Sequence, residues 1–569
     1  MYGFLIVRND HSGFMLKGGK TYANDSYKFM YHPLPKFDKD KLFYKDSAKI
    51  VLLDGAITNI DELMARYAAA DWRACFELLL NEHPVDFMNY LRGPFCGAIG
   101  YNDGRMVAFT NHLGDKTVYF SKKEDEFIVS SHCEFIYQYL KKFGKKLQPC
   151  IQSMYDLMVN GAIVYGKSPF RDIYRLTAGR RLVGGVGGVK SEYYHVFKNI
   201  PEHDLSLDAC IEKGDALFRK AVDRIFRKNK EYGYEMECDL SGGLDTRMSA
   251  WVAHDLGYKN CLNICYSREN STDHYTSQKL AKDLGNKYFF LPMDSGIMED
   301  VDKKVRLFGG QVEYAISSGS VKALETVGYE RIGICCMSLL GEIQNAYHVI
   351  GESHTEPDFL VHSWRKCNCN EIKIPYWYRK DYDNYEQMNF YEYAIAAIMT
   401  SASGRSQYCE AASPFADVDY LDFIFKVPLK YRRHYFYVKN WMKKKYPGAM
   451  KYKWQLTGQP VGAEQNPVYK GLHYAKVIMD LAIRKFNDFM YKKDIHFAIM
   501  QKKDMGPVNK WYATSKSFRN YLQAYFDENI GRVQDDKLRE DLTRQFQDGF
   551  GVGKIEVINV LGIYKRYIG

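Results

Sequence analysis

The sequence predicts an α+β sandwich followed by an α/β parallel-sheet domain, with a helical extension at its carboxyl end. Residues 1–200 contain short β-rich runs separated by Gly, Asn or Asp. From about residue 205 strands alternate with helices, which indicates a parallel sheet covered on both faces. Because 569 residues exceed what one hydrophobic core organises, we expect separate domains. The predicted boundaries are 1–200, 205–465 and 466–569.

The first domain is predicted from four β-rich stretches and three helices. The stretches are "KIVLLDGAI", "GPFCGAIGYNDGRMVAFTN", "TVYFSKKEDEFIVSS" and "RRLVGGVGGVKSEYYHV". Apolar residues recur with a spacing near 3.6 in "NIDELMARYAA", "DWRACFELLLNEH" and "HCEFIYQYLKKFG". Layered sheets and helices are therefore expected, and "NIPEHDLSLDA" is the predicted linker to the next domain.

The second domain is predicted from a regular alternation of elements. A helix in "SLDACIEKGDALFRKAVDRIFRKN" precedes a strand, loop and helix in "ECDLSGGLDTRMSAWVAHDLG". The strand "NCLNICYS", the helix "DHYTSQKLAKDLG" and the strand "KYFFLPMD" follow. Ligands of such sheets bind beyond the carboxyl ends of the strands, which is where residues 241–246 fall. After "SPFADVDYLDFIFKVPL" the chain is predicted to be mostly helical.

Composition argues for a globular protein of the cytoplasm. Hydrophobic residues make up 46% and charged residues 26%, and the net charge of +10 is a mild basic bias. No alternation of aromatic and basic residues forms a stacking platform, so no nucleic-acid partner is expected. The 13 cysteines lack the spacing of a metal chelate and are expected to be reduced and mostly buried. The opening apolar stretch is too short for a signal peptide, and no run reaches the length of a membrane span.

The run "LSGGLDTR" carries the strongest chemical signal. A strand that turns tightly into a helix points unpaired N–H groups and the positive end of the helix dipole at one spot, which suits phosphate. A Walker loop would continue with Lys and Ser or Thr, whereas this loop continues with Asp245 and Thr246. An acid beside phosphate needs Mg²⁺ between them. The alternative interpretation is an ordinary tight turn.

This run resembles the pyrophosphatase loop of the N-type ATP pyrophosphatases, whose pattern is SGGxDS or SGGxDT. Those enzymes split ATP between its α and β phosphates. The resemblance implies ATP and Mg²⁺, with Asp245 as a metal ligand. The residues that it implies for nucleotide binding are Leu240, Ser241, Gly242, Gly243, Asp245 and Thr246. Arg247 could hold a phosphate or a substrate carboxylate, and a surface salt bridge is the competing interpretation.

Residues 1 to about 460 together resemble the asparagine synthetase family. "IVLLDGAITNIDEL", "LRGPFCGAIGYND" and "TNHLGDKTVYF" are similar to its NGEIYNxxEL, GxFAFxIxD and RDxxGxKPLYY motifs. "CEAASPFADVDYLDFIFKVP" resembles xExRxPFLDxxLVEFxxxLP, and "MKYKWQLTG" lies where relatives have xRxKxxFxxG. The resemblance implies an Ntn-hydrolase-like glutaminase sandwich followed by an ATP-pyrophosphatase domain.

Three further site residues follow from this resemblance. Lys453 matches the lysine whose ammonium stabilises charge during amide formation, with Lys451 as the alternative. Glu410 matches a glutamate near the nucleotide, although an acid before "SPF" could also cap local structure. "GICCMSLLGEIQNAYH" lies where relatives have GEGSDExFGGY, which makes Glu342 a catalytic-site metal ligand. Either alignment of Glu342 leaves one acid missing, at Gly341 or at Ile343.

At the positions that match the family's glutaminase site, the first domain lacks the residues needed for glutamine hydrolysis. The family's amino-terminal nucleophilic cysteine is Tyr2 here, and a phenol with an ordinary pKa near 10 attacks amides poorly at neutral pH. Asp54 replaces the oxyanion-hole asparagine, and a carboxylate there would destabilise an oxyanion. Ala56 replaces the glutamate that grips the substrate amine, and Asn111 replaces the aspartate of the RD pair. This domain is expected to keep its fold without hydrolysing glutamine.

The resemblance implies an asparagine-synthetase-like amide ligase that adenylates a small-molecule or glycan carboxylate. Ammonia or another amine would then displace AMP. Two variants remain open: intramolecular cyclisation, as in β-lactam and lasso-peptide synthetases, and amidation of a uronic acid of a surface polysaccharide. A non-catalytic nucleotide-binding paralogue is the alternative from another class. tRNA modification is disfavoured because no cysteine or zinc relay is present. The residues give no oligomeric state, and a homodimer is compatible with them.

We predict that the purified protein does not consume glutamine, because four positions of the glutaminase site have changed at once. Glutamate release is measured in the presence of ATP, Mg²⁺ and glutamine, with ammonium as the matched amine source. The expected result is no glutamate above background. Glutamate release at a rate comparable with ATP use would contradict the prediction.

Overall fold

The computed structural model describes residues 1–10, 12–121, 127–185, 188–315, 317–345, 382, 384–463 and 466–569. It contains two antiparallel six-stranded sheets, one parallel five-stranded sheet and a helical carboxyl-terminal part. The mixed α/β architecture predicted from the sequence is therefore confirmed.

The two antiparallel sheets lie face to face in the first domain. The strand order of the first sheet is β10-β8-β9-β1-β3-β2, and that of the second is β12-β11-β7-β6-β5-β4. The strands are β1 Gly3–Arg8, β2 Lys20–Ala23, β3 Tyr27–His32, β4 Leu42–Lys45, β5 Lys49–Gly55, β6 Phe95–Tyr101, β7 Met106–Thr110, β8 Tyr119–Ser121, β9 Ile128–Ser130, β10 Ile173–Arg175, β11 Arg180–Gly185 and β12 Gly188–Tyr193.

Side-chain alternation explains why these sheets are buried on both faces. In β1, Phe4 and Ile6 point into the core between the sheets, whereas Leu5 and Val7 point into a helical core on the other side. In β5, Leu52 faces the inter-sheet core and its neighbours face the second helical layer. The helices of these two layers are α1 Ile60–Tyr67, α2 Trp72–Glu82, α3 Cys133–Lys142 and α4 Ile151–Asn160. The first domain is thus a four-layered sandwich.

The third sheet is fully parallel, with the order β15-β14-β13-β16-β17. Its strands are β13 Glu235–Asp239, β14 Leu262–Ser267, β15 Lys287–Pro292, β16 Ile332–Cys336 and β17 Glu410–Ala412. The associated helices are α5 Leu207–Glu231, α6 Leu244–Asp255, α7 Thr272–Asp283, α8 Val301–Phe308 and α9 Ser318–Val327. Ser206 and Ser271 cap α5 and α7 by accepting backbone N–H groups, as helix-starting serines commonly do.

The remaining described chain is helical. A short helix, α10 Tyr385–Asn389, continues as a π-helix over Phe390–Met399 and a 3-10 helix over Thr400–Gln407. The later helices are α11 Val418–Ile424, α12 Leu429–Arg432, α13 Phe436–Lys445, α14 Pro467–Lys492, α15 Val508–Thr514, α16 Lys516–Asn529, α17 Asp536–Asp548 and α18 Gly551–Ile563.

The carboxyl-terminal helices share a core with the first domain. Helix α18 is apolar around nearly its whole circumference, and its residues pack in one cluster with Met154 and Leu157 of α4 and Val301 of α8. The predicted 466–569 extension therefore contributes to a hydrophobic core that also includes residues from earlier in the chain. Among the helices that the structure describes, none has both the length and the apolarity needed to cross a membrane.

Ion pairs join the sandwich to the parallel-sheet domain. The ammonium of Lys116 lies 3.2 Å from Asp54 Oδ2 and 3.1 Å from Glu410 Oε2; both carboxylates are buried, and the Lys116 side chain is 10% exposed. Burial alone would raise the pKa of Asp54, but the ammonium groups of Lys116 and Lys41 and a hydrogen bond from Tyr31 outweigh burial and hold it at about 2. Lys116 is therefore the counter-ion of two carboxylates from different domains.

We predict that Lys116→Met destabilises the protein by about 3–5 kcal/mol, because it removes the paired cation of the buried Glu410 carboxylate and leaves Asp54 with only Lys41, 3.8 Å away. The free energy of unfolding is measured by urea titration at neutral pH. Lys190→Met is the matched control, since the side chain of Lys190 is 78% exposed and its pair with Glu192 lies on the surface; a loss of about 0–1 kcal/mol is expected there.

The same variant makes a pH-dependent prediction. The pKa of Asp54 is about 2 in the folded protein, below its ordinary value of 3.8, so the stabilisation from its ionised form is present above 3.8 and is lost as the pH falls towards 2. The difference in unfolding free energy between wild type and Lys116→Met should shrink over that interval. A difference that stays constant would contradict the role given to Lys116.

Candidate active site

The candidate site lies where the chain order of the parallel sheet reverses. From β13 the sheet runs to β14 and β15 on one side and to β16 and β17 on the other. Connections that leave two adjacent strands in opposite directions open a crevice beyond their carboxyl ends, and ligands bind there. The loop after β13 and the 3-10 segment Gly341–Asn345 after β16 form this crevice.

The loop after β13 is braced by its own side chains. Ser241 N–H donates to Thr246 Oγ1 at 3.0 Å, and Gly243 N–H donates to Ser241 Oγ at 3.1 Å. Leu240 is buried, and its N–H donates to the Ile264 carbonyl of β14 at 2.8 Å. Ser241 and Thr246 therefore set the shape of the loop, while Leu240 anchors it to the sheet.

The first turn of α6 presents its N–H groups without a capping side chain. Gly243 is the N-cap residue and has no side chain to accept a hydrogen bond. The unpaired donors and the helix dipole give this end of α6 a partial positive charge. Among the flanking helices, α5 and α7 both have serine caps. The start of α6 is consequently suited to an anionic group.

Asp273 binds the loop, a role that the sequence did not predict; from the sequence, Asp273 is only the first residue of the predicted helix "DHYTSQKLAKDLG". It is fully buried in the first turn of α7, and its Oδ1 accepts the Gly242 N–H at 2.9 Å. Burial raises the pKa of Asp273, and the Gly242 hydrogen bond opposes that rise. With its amide oriented to donate, Gln455 also reaches Asp273 Oδ2 at 3.2 Å. The available signal was an acid two residues after Ser271, at the predicted start of a helix.

The structure brings Asp245 and Glu342 together. Asp245 lies in the first turn of α6 and Glu342 in the 3-10 segment after β16. Burial, followed by the charge of Glu342, raises the pKa of Asp245 to about 7, and burial raises the pKa of Glu342. Neither carboxylate has a basic partner among the residues that the structure describes. Two acids from distant parts of the sequence therefore share one crevice.

Close packing at Gly341 excludes a further side chain. A Cβ added at Gly341 would lie 2.2 Å from Asp245 Cγ. Ile343 packs against apolar residues instead of lining the acidic pair. The acid that the family motif would supply at either position is absent, and at Gly341 no acid fits while Asp245 keeps this position.

The acidic pair fits a divalent cation of the magnesium type. Mg²⁺ is usually held by one or two carboxylates together with substrate phosphates, so it needs no cage of protein ligands. In the described part of the chain no group of three or more His, Cys, Asp or Glu residues could hold a metal by itself. Asp245 and Glu342 are half-buried and have no basic partner in the described part of the chain, and they are the residues that would hold Mg²⁺.

Arg247 connects backbone segments by hydrogen bonds. It forms neither the surface salt bridge nor an exposed contact for phosphate or carboxylate that the sequence suggested. The side chain is completely buried. Its guanidinium donates to the carbonyls of Gly242 at 3.2 Å and Lys453 at 2.7 Å. It also donates to the carbonyls of Ala449 and Tyr452, both at 3.2 Å. Burial lowers its pKa to about 10. Arg247 thus ties the loop to the segment that carries Lys453.

The Lys453 segment lies against the loop through its backbone. Gln455 N–H donates to the Gly242 carbonyl at 3.1 Å, and Thr276 Oγ1 donates to the Lys453 carbonyl at 3.3 Å. The side chains of Lys453 and Lys451 are exposed, and the Lys451 ammonium lies 5.5 Å from the Tyr452 ring centroid. Backbone contacts therefore position Lys453 next to the loop and leave its ammonium accessible.

Glu410 contacts Lys116 of the first domain. Its carboxylate lies on β17, is fully buried and accepts hydrogen bonds from Lys116 Nζ at 3.1 and 3.2 Å. The role near a nucleotide that the motif implies stays a prediction. In this structure Glu410 joins the two domains.

Of the four positions that the resemblance assigns to a glutaminase site, Tyr2 and Asp54 line a very small cavity. Tyr2 N–H donates to Gln407 Oε1 at 2.7 Å, and Gln407 Nε2 donates back to the Tyr2 carbonyl at 3.0 Å. The cavity beside them, which Asp54 and Lys116 also line, measures about 30 Å³. That volume suits water rather than glutamine. Ala56 and Asn111 are buried nearby in the same domain.

A larger cavity of about 450 Å³ opens at the carboxyl edge of the parallel sheet. Tyr266 near the end of β14, Met337 after β16 and Arg405 contribute to its wall. The Arg405 guanidinium is buried, donates to Asp239 Oδ2 at 2.7 Å and lies 3.0 Å from the Tyr266 hydroxyl. Ser317, Ser320 and Ser401 add hydroxyl groups. The cavity is of a size that binds small molecules.

No protein-family model and no curated protein matches the chain. One matching solved structure is described as the allosteric regulatory enzyme of purine biosynthesis, with 10% identity over 51% of this chain and 74% of that chain, and a TM-score of 0.23. Another is glutamine phosphoribosylpyrophosphate amidotransferase from B. subtilis complexed with ADP and GMP, with 12% identity over 51% and 59% of the chains and a TM-score of 0.22. At these TM-scores the two likenesses carry no argument.

Proposed function

We propose that the chain is an ATP-dependent amide ligase that adenylates a substrate carboxylate. A carboxylate oxygen attacks the α-phosphorus of ATP, and the bond to pyrophosphate breaks. An amine nitrogen then attacks the acyl carbon, AMP leaves and the nitrogen loses a proton. The observation that supports this proposal is the meeting of Asp245 and Glu342 beside the uncapped start of α6, at the reversal point of the sheet.

The residues of the crevice supply positioning and charge rather than a nucleophile. The N–H groups at the start of α6 bind the leaving pyrophosphate, and Ser241 and Thr246 keep the loop in the shape that presents them. Arg247 and Asp273 hold the loop and its neighbouring segments together, so the donors need little rearrangement. The ammonium of Lys453 neutralises negative charge at the reacting groups.

Mg²⁺ fits this proposal because two half-buried carboxylates without a basic partner among the described residues lie beside the uncapped start of α6. Asp245 and Glu342 would hold it, and the bound ion would supply neutralisation of phosphate charge. Hydrolysis of glutamine is not part of the proposal, since the cavity at Tyr2 measures about 30 Å³. The amine is ammonia or an amino group of another substrate.

The cavity at Arg405 is the proposed acceptor site. It lies at the same edge of the sheet as the loop, and the guanidinium of Arg405, which also pairs with Asp239, would donate hydrogen bonds to a carboxylate substrate. Its three serine hydroxyls favour, as a second candidate, a carboxylic acid that carries several hydroxyls, such as a uronic acid. Pyrophosphate release in a screen of uronic acids, aspartate and other carboxylates with ATP, Mg²⁺ and ammonium distinguishes these candidates. No pyrophosphate release with any carboxylate would support the non-catalytic nucleotide-binding alternative.

We predict that Asp245→Asn lowers the rate of pyrophosphate release by about 100-fold or more, because the neutral amide no longer provides a charged ligand for Mg²⁺. Mg²⁺-dependent binding of a non-hydrolysable ATP analogue should weaken in parallel. Asp255→Asn is the matched control, since Asp255 lies on the same helix, is partly exposed and pairs with Arg219 on the surface. Undiminished turnover by Asp245→Asn would refute the proposed site.

We also predict that Lys453→Met lowers the rate of amide formation by about 100-fold, since it removes the accessible ammonium beside the loop. Nucleotide affinity should change much less, because the loop contacts of this segment are made by its backbone. The matched variant is Lys451→Met, which removes an exposed ammonium two residues away. Equal effects of the two substitutions on amide formation would count against a specific role for Lys453.

A further inference from the structure

Helix α14, Pro467–Lys492, turns its apolar side towards solvent. Ile478 is 68% exposed and Phe489 is 55% exposed, whereas Asn487 on the opposite side is only 3% exposed. A helix on the surface of a globular protein normally buries its apolar stripe and exposes its polar face. Helix α14 has the reverse arrangement, so packing in the hydrophobic core does not account for its apolar stripe.

Polar contacts hold α14 to the rest of the protein. Asn487 Nδ2 donates to the Ile499 carbonyl at 3.2 Å, and its Oδ1 accepts the Ile499 N–H at 2.9 Å. Asp480 accepts hydrogen bonds from Gln501 at 2.6 Å and from Lys503 at 2.8 Å. The inner face of the helix is therefore fixed by hydrogen bonds and an ion pair.

The outward stripe is continuous and contains no charge. An α-helix turns by about 100° per residue, and the eight residues of the stripe all lie within about 120° of the helix circumference. No Asp, Glu, Lys or Arg of the helix lies within that part of the circumference. Ile495 and Phe497 in the following loop are also exposed, and the Phe497 ring centroid lies 6.2 Å from that of Phe486. All eight helical members are exposed: Val468, Leu472, Ala475, Ile478, Met479, Ala482, Phe486 and Phe489.

Basic residues surround this stripe. Residues 466–506 contain eight Lys and Arg residues against four Asp and no Glu, a net charge of +4. Two of the four acids are neutralised locally, Asp480 by Lys503 and Asp504 by Lys510. In the part of the chain that the structure describes, seven of the eight basic residues have no ion pair: Lys470, Lys476, Arg484, Lys485, Lys492, Lys493 and Lys502.

We propose that α14, with Ile495 and Phe497, binds the surface of a lipid bilayer that contains anionic lipids. Helices with a charged, Lys/Arg-rich side and an apolar side carrying Phe, Leu and Ile lie in the plane of the interface, with the apolar side among the acyl chains. The charge of the segment is complementary to anionic headgroups. The stripe is a convex helix surface with a basic border, which suits a bilayer better than a groove-bound peptide.

Flotation of the full-length protein with phosphatidylcholine vesicles, with and without phosphatidylglycerol, tests the proposal. The protein should float with the phosphatidylglycerol vesicles, and binding should weaken as the salt concentration rises. The double variant Ile478→Glu with Phe489→Glu should bind at least about tenfold more weakly, because two apolar side chains no longer enter the bilayer. Lys485→Glu with Lys492→Glu should remove the preference for phosphatidylglycerol.

The matched control is Leu78→Glu with Val85→Glu, which changes two exposed apolar residues of the first domain that are 44% and 57% exposed. This variant should float like the wild type. Circular dichroism verifies that each variant keeps its helical content. Failure of the wild type to float with any vesicle would overturn the proposal, as would unchanged flotation of the Ile478 and Phe489 variant. A vesicle-independent dimer that this variant converts to a monomer would instead assign the stripe to a second copy of the chain.

Discussion

Repulsion between two half-buried carboxylates is the constraint around which the candidate site is organised. Asp245 and Glu342 share a crevice in which burial and mutual charge raise the pKa of Asp245 to about 7. The fold holds them there because the chain order reverses between β13 and β16, so the loops after these strands must face each other. Such a pair is unfavourable without a cation, and the neighbouring N–H groups of α6 favour an anion. Together these features match a metal-bound phosphate.

The surrounding contacts keep this arrangement rigid. The buried guanidinium of Arg247 joins the loop at Gly242 to the carbonyl of Lys453. Asp273 approaches the loop from α7 and accepts the Gly242 N–H. Asp273 satisfies the buried N–H of Gly242, which would be costly to leave unpaired, and Arg247 adds a second donor to the carbonyls of Gly242 and Lys453. Positioning of the exposed Lys453 ammonium is the consequence that matters for the proposed chemistry.

The first domain has become a structural partner of the second. Lys116 binds Asp54 and Glu410 across the junction, and the cavity beside Tyr2 is too small for glutamine. The ammonium of Lys116 thus joins carboxylates of both domains in one ion cluster. Helix α14 has a different arrangement, because its apolar side chains are exposed and polar side chains hold the helix in place.

The sequence by itself determined the class of each domain and the loop at residues 241–246. Strand alternation, helical spacing and the turn residues are local patterns, and they predicted the β-rich first domain, the parallel sheet and the helical carboxyl part. Strands β1 to β4, β10, β16 and β17 and helices α4, α8 and α9 were not predicted. Only the tertiary structure decided that Asp245 meets Glu342, that Arg247 connects backbone segments, and that Glu410 pairs with Lys116. These relations join residues about 100 to 300 positions apart, and such contacts depend on strand order and packing, which short sequence patterns do not encode.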